Sequence, residues 1–108
     1  IDTDDQARLI KNICKAINID TKQLAPKYIL SIIDRWKNKG FYPNEVIINK
    51  KDIYEKNILP LYKIYQQKLL DLNACDFGDL ILHCVNILEN NFLATASLLV
   101  LKKNGCQA

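Results

Sequence analysis

The sequence predicts an all-α fold, a single small bundle-like domain of four to five helices. Three observations lead there. Apolar residues recur every three or four positions along most of the chain, the period of a helix with one buried face. The 108 residues suit one domain, and 49% apolar against 25% charged residues is a globular balance. Three glycines and three prolines leave little room for flexible linkers.

Each element follows in chain order. Asp4 and Asp5 suit a helix N-terminus, and Ile10, Ile13, Cys14 and Ile17 make the stripe of the first helix. "NIDTK" at 18–22 reads as a loop. Pro26 fits the first turn of a second helix whose apolar face is Ile29, Ile32, Ile33 and Trp36, and Gly40 suits its C-terminal stop. "FYPNEVIINKK" is an irregular connection, and its "EVIIN" has no visible partner strand. Tyr54, Ile58, Leu61, Tyr65, Leu69 and Leu72 mark a long third helix, with Pro60 either kinking it or marking its true start. A fourth helix begins at "NACDFGDL", with Phe77, Leu80, Ile81, Cys84 and Leu88 as its stripe and "ENN" at 89–91 as its end. The tail, 94–108, is apolar and then basic, with room for one more short helix.

Composition excludes several classes. No apolar run reaches the roughly 20 residues of a membrane helix. The acidic N-terminus lacks the regions of a secretory signal. Cys14, Cys75, Cys84 and Cys106 show no close pairing, and His83 beside Cys84 is a poor chelate. Reduced thiols in a cytoplasmic protein are expected. Gly40, Gly78 and Gly105 are isolated, so there is no glycine-rich phosphate loop, and no G-x-S-x-G occurs. No catalytic residue and no metal ligand set is assigned.

Two groups remain as candidate sites. Asp76 and Asp79 are either a carboxylate pair for acid–base or metal chemistry, or a helix start. The latter has Asp76 as N-cap and Asp79 three residues on, near a capping box. On the helix-start reading Phe77 and Leu80 lock that end into the core, and Gly78→Asp is neutral or slightly stabilising because glycine is a poor helix former. The second group is basic. Lys22, Lys27, Arg35, Lys37 and Lys39 form either a solvated helix face or a patch for phosphates. The net charge of +3 is only a lean toward anionic partners.

Three stretches, "DTDDQARLIKNICKAINID", "APKYILSIIDRWKN" and "YKIYQQKLLDLNACDFGDLIL", carry a resemblance. Their order is similar to the UvrD/Rep/PcrA group of superfamily 1 DNA helicases. The likeness is to the helical 1B subdomain inserted in the first RecA-like domain. That family shows a D-x-x-D-Q helix start, a P-x-x-I-L helix ending in K-N, a Y-x-x-Y-Q helix and an L-D-F-D-D-L box. Asp76, Phe77, Asp79 and Leu80 match the box, and Gly78 replaces its middle aspartate. The likeness covers residues 1–93, and 94–108 diverge from it. The family's G-x-G-K-T and D-E-x-Q-D boxes are missing.

The resemblance implies an accessory subdomain of an ATP-dependent helicase moving 3′ to 5′. Its partners would be the rest of the motor domain and DNA, held weakly and without sequence preference through phosphates, with Lys22, Lys27, Arg35 and Lys37 as the contacts and Asn38, of the K-N pair, as a polar one. ATP and Mg2+ are implied for the parent helicase, with no cofactor in this stretch and no ATP hydrolysis by it alone. The alternative is a small helical protein-interaction module without a DNA role.

Overall fold

The computed structural model describes residues 1–48 and 53–105. Among the described residues there are four α-helices, α1 (Thr3–Ala16), α2 (Pro26–Asn38), α3 (Ile53–Asp71) and α4 (Phe77–Gly105), with a 3₁₀ turn at Pro43–Glu45. No strand occurs among the described residues. Val46–Ile48 of "EVIIN" are irregular, while Asn49 lies outside the described residues, as does Cys106.

α1 begins where Asp2 accepts the Asp5 N–H at 2.8 Å, with Asp4 and Asp5 acidic in its first turn. α2 begins at Pro26, whose missing N–H costs nothing there. Pro60 lies inside α3, which continues on both sides of it. The first three helices end in the same way. Asn18, Gly40 and Asn73 have φ of 60°, 80° and 51°. At each, the next residue's N–H returns to a carbonyl of the last turn: Ile19 to Cys14, Phe41 to Trp36 and Ala74 to Leu69. This is the Schellman arrangement, and only glycine or asparagine adopts its left-handed position easily.

The core lies among α1, α2 and α3. Ile10, Ile13, Cys14, Ile29, Ile33, Ile58, Leu61, Tyr62, Tyr65 and Leu69 are buried within it. Trp36 stacks on Tyr62 at 5.6 Å between ring centroids, and the Tyr62 hydroxyl donates to the Phe41 carbonyl at 2.8 Å. Two stripe residues expected on α3, Tyr54 and Leu72, stay on the surface. Tyr62, absent from that stripe, is fully buried.

α4 departs most from expectation. It does not end at Glu89–Asn91 but runs unbroken from Phe77 to Gly105. Nor do Phe77 and Leu80 enter the core, being 74% and 58% exposed. Cys84 and Leu88 of the expected stripe are exposed as well. The face turned to α2 carries Gly78, Asp79, Leu82, Val85 and Asn86 instead. Gly40 fixes that crossing, because a Cβ on it would lie 2.7 Å from Val85 Cγ1. Asn86 donates across it to the Gly40 carbonyl at 3.1 Å. No described helix is long and apolar enough to cross a membrane.

Candidate functional site

The polar residues of the sequence motifs meet in one buried cluster where the four helices converge. Its centre is the Asp76 carboxylate. Oδ1 accepts the Asp79 N–H at 2.7 Å, while the Asp79 carboxylate accepts the Asp76 N–H at 3.2 Å. That reciprocal pair is a capping box built from two aspartates. Asp76 Oδ2 accepts three further donors: Tyr65 Oη at 2.7 Å, Lys37 Nζ at 2.8 Å and Gln6 Nε2 at 3.1 Å. Lys37 also reaches Asp79 Oδ1 at 3.0 Å, and Gln66 Nε2 donates to the same oxygen at 2.9 Å.

Each helix supplies a part. α1 brings Gln6, α2 brings Lys37, α3 brings Tyr65 and Gln66, and α4 brings the aspartates at its start. Lys37, Asp76 and Asp79 are almost wholly removed from solvent. An unpaired buried charge is costly, so the cluster is stable only because its charges are paired and hydrogen-bonded. Lys37 is also held over aromatic rings, 5.0 Å from the Tyr65 centroid and 5.9 Å from that of Tyr62.

The electrostatics follow from this arrangement. Burial pushes the Asp76 carboxyl upward, but hydrogen bonding and attraction from Lys37, with the Tyr65 hydroxyl and the Asp79 N–H, outweigh it. Asp76 is held below the usual carboxylate range. Asp34, half-buried on α2, is raised by burial and by the negative charge of Asp76. Burial also raises the Tyr65 and Tyr62 hydroxyls, which stay protonated as donors.

Gly78 completes the cluster. A Cβ there would lie 2.9 Å from Lys37 Cδ and 3.1 Å from Asp34 Oδ1. The expectation that Gly78→Asp is harmless is therefore corrected. The new carboxylate would crowd the lysine stem and add negative charge beside Asp34 and Asp76.

The basic candidates divide. Lys37 leaves the set, because a fully buried ammonium paired with two aspartates offers nothing to a phosphate. Arg35 is half-exposed but holds Glu55 at 2.6 Å. Lys22, Lys27 and Asn38 are exposed. At about 100° per residue, Lys27 and Asn38 fall on nearly the same line of α2, away from the hub. Lys22 lies in the preceding loop, where its N–H is held by Asp20.

The hub does not fit a catalytic or metal site. Its carboxylates already have lysine, tyrosine, glutamine and backbone donors. Among the described residues no three His, Cys, Asp or Glu side chains are grouped to hold a metal ion. The sequence signal missed was the position of Lys37. It lies seven residues after Leu30 and four after Ile33, squarely on the apolar face of its helix.

A sequence model of the UvrD/REP helicase N-terminal domain matches residues 1–100. A protein of Rickettsia conorii named a probable DNA helicase II homolog is 43% identical over 84 residues, 77% of this chain and 13% of that protein. A protein of the same name from Mycoplasma capricolum is 38% identical over 95 residues, covering 84% and 13%. The ATP-dependent DNA helicase PcrA of Bacillus subtilis is 35% identical over 89 residues, covering 82% and 12%. The chain thus spans only 12–13% of the length of these relatives. No solved structure matches it.

Proposed function

The chain belongs to the UvrD/REP helicase family, and from that membership we propose that it serves as the helical 1B accessory subdomain of an ATP-dependent 3′–5′ DNA helicase. In that role it engages duplex DNA beside the unwinding junction. The rest of the motor domain supplies ATP binding and Mg2+. Neither group fits the residues here, since the chain has no glycine-rich phosphate loop and the hub's carboxylates are already saturated.

One observation supports the reading most. The motif residues Gln6, Lys37, Tyr65, Gln66, Asp76 and Asp79 are consumed by the hub and hold the four helices together. They build a rigid platform and leave DNA contact to exposed side chains outside the hub. Lys22 and Lys27, with Asn38 beside them and Arg35 held by Glu55, supply such contacts to phosphate oxygens. Binding of that kind is weak and independent of sequence.

Titration of a labelled forked duplex over a range of salt concentrations tests this. Two or three phosphate contacts give a log–log slope of about −2 to −3. An affinity that does not change with salt, or no binding at low salt, sinks the proposal. A protein-interaction module without DNA contact is the second reading, and it is favoured by the exposed apolar face of α4.

A further inference from the structure

The first turn of α2 and the start of α3 carry an exposed aromatic pair. Tyr28 and Tyr54 are 41% and 53% exposed. Their rings meet edge to face, with centroids 6.2 Å apart and planes at 81°, an arrangement that favours one orientation of each ring. Beside Tyr54 lies a cleft of about 450 Å3, between the loop after α1 and the first half of α3. Ile19 and Leu24 line it with apolar surface, and Tyr54 stands on its α3 side. Its polar groups are the carboxylate of Asp20 and the amides of Gln23 and Asn57. Both the volume and the mix of apolar wall with a few polar groups are those of a small-ligand site.

Positive charge sits at the edges of the cleft. Lys22 falls between Asp20 and Gln23 in the lining loop, and Lys27 directly precedes Tyr28. Both lysines are exposed. Asp20 Oδ1 accepts the Lys22 N–H at 2.9 Å, which ties that carboxylate to its own loop. Aromatic rings flanked by cations are how proteins hold single strands, the bases stacking on the rings while the cations take the phosphates.

We propose that this cleft seats one unpaired base of a DNA strand, stacked against Tyr54, with the flanking phosphates on Lys22 and Lys27. The chemistry of the lining favours a base over an apolar side chain. An apolar occupant would strip water from Asp20, Gln23 and Asn57 and return no hydrogen bond. A base offers a flat face to the tyrosine and an edge of donors and acceptors to the amides. Every base has such a face, so the site tolerates any sequence. The proposal rests on the DNA-engaging role and adds to its phosphate contacts a seat for the strand that leaves the fork.

Fluorescence anisotropy on the 108-residue chain tests it with a blunt duplex and with the same duplex carrying a single-stranded arm. The arm should tighten binding by about 5- to 100-fold. An arm of abasic residues, which keeps every phosphate, should lose most of that gain. Tyr54→Ala should lose it as well, and Tyr54→Phe, which keeps the ring, should retain it. An arm containing 5-iododeoxyuridine should photo-cross-link to the peptide that holds Tyr54. Should Tyr54→Ala unfold, the abasic arm and the cross-link decide, since both are read on the wild type. An abasic arm that binds as tightly as the natural one, or a cross-link missing from Tyr54, overturns the proposal. The phosphate-contact role still stands in that case if the blunt duplex binds with a salt-dependent affinity. No binding of either probe removes both.

Discussion

At the scale of single residues, Lys37 decides how this domain is held together. Its ammonium is the counter-charge to Asp76 and Asp79 and also attracts the Asp34 carboxylate. Lys37→Met keeps much of the side-chain volume and leaves the buried carboxylates unpaired. We expect a loss of about 3–5 kcal/mol in urea unfolding. DNA affinity should not change under conditions where the variant stays folded. A loss below 1 kcal/mol would mean that water compensates the aspartates. Gly78→Asp should likewise destabilise, by crowding Lys37. The pH dependence has a definite sign. Asp76 titrates below its unfolded value, so the unfolded chain binds more protons as acid is added. Its contribution is complete above the unfolded carboxylate pKa of about 3.9 and is lost as pH falls through the lower folded value. Asp34, raised by burial, works in the opposite sense and offsets part of this. Asp76→Asn should therefore be less stable at neutral pH and flatter below about pH 4. An unchanged acid limb in melting experiments would rule this out.

At the scale of elements, the helix starts and the stop at Gly40 were legible in the sequence because they depend on local chemistry, whereas the stop read at 89–91 was not one, since α4 runs on to Gly105. Asp4 and Asp5, Pro26, Gly40 and the Asp76–Asp79 pair act within a few residues of themselves. The faces of α1 and α2 were legible too, since their stripes meet a core made by this chain. α4 was not, and the reason is physical. Periodicity shows that a helix has an apolar stripe, but not which body covers it. Phe77, Leu80 and Cys84 form a true stripe that α2 does not cover, while Asp79 pairs with Lys37 of α2 and Asn86 donates to the Gly40 carbonyl just past its end. Two substitutions separate these cases. Phe77→Ala, on the open face, should change the stability of the single chain by less than about 0.5 kcal/mol. Gly40→Ala should cost at least about 1–2 kcal/mol, because a left-handed φ is strained for alanine and its Cβ meets Val85. Equal losses in chemical denaturation would mean that the α2–α4 crossing is not fixed by this glycine.

At the scale of the whole molecule, charge is spread and only its placement carries information. The net +3 gives a mild general attraction to any polyanion. Lys63 and Lys68 on α3 are as exposed as Lys22 and Lys27. A loss of DNA binding on charge reversal therefore proves little by itself. Two variants of equal charge resolve the matter. Lys22→Glu with Lys27→Glu changes the net charge from +3 by four, to −1, and Lys63→Glu with Lys68→Glu does the same. General attraction would weaken both alike. If the loop and α2 form the DNA face, the first pair should lose most of the affinity and reduce the salt slope by about two. The second should keep the slope and lose only a modest factor at low salt. Arg35 makes an internal control. Glu55→Gln releases its guanidinium from an ion pair and raises the net charge from +3 by one, to +4, so if Arg35 lies on that face it should strengthen binding more than Glu89→Gln, which changes the net charge equally on α4. Fluorescence anisotropy on a forked duplex, with circular dichroism confirming each fold, reads all of these. Equal loss from both double variants would show that the DNA surface is the whole domain rather than α2 and its preceding loop.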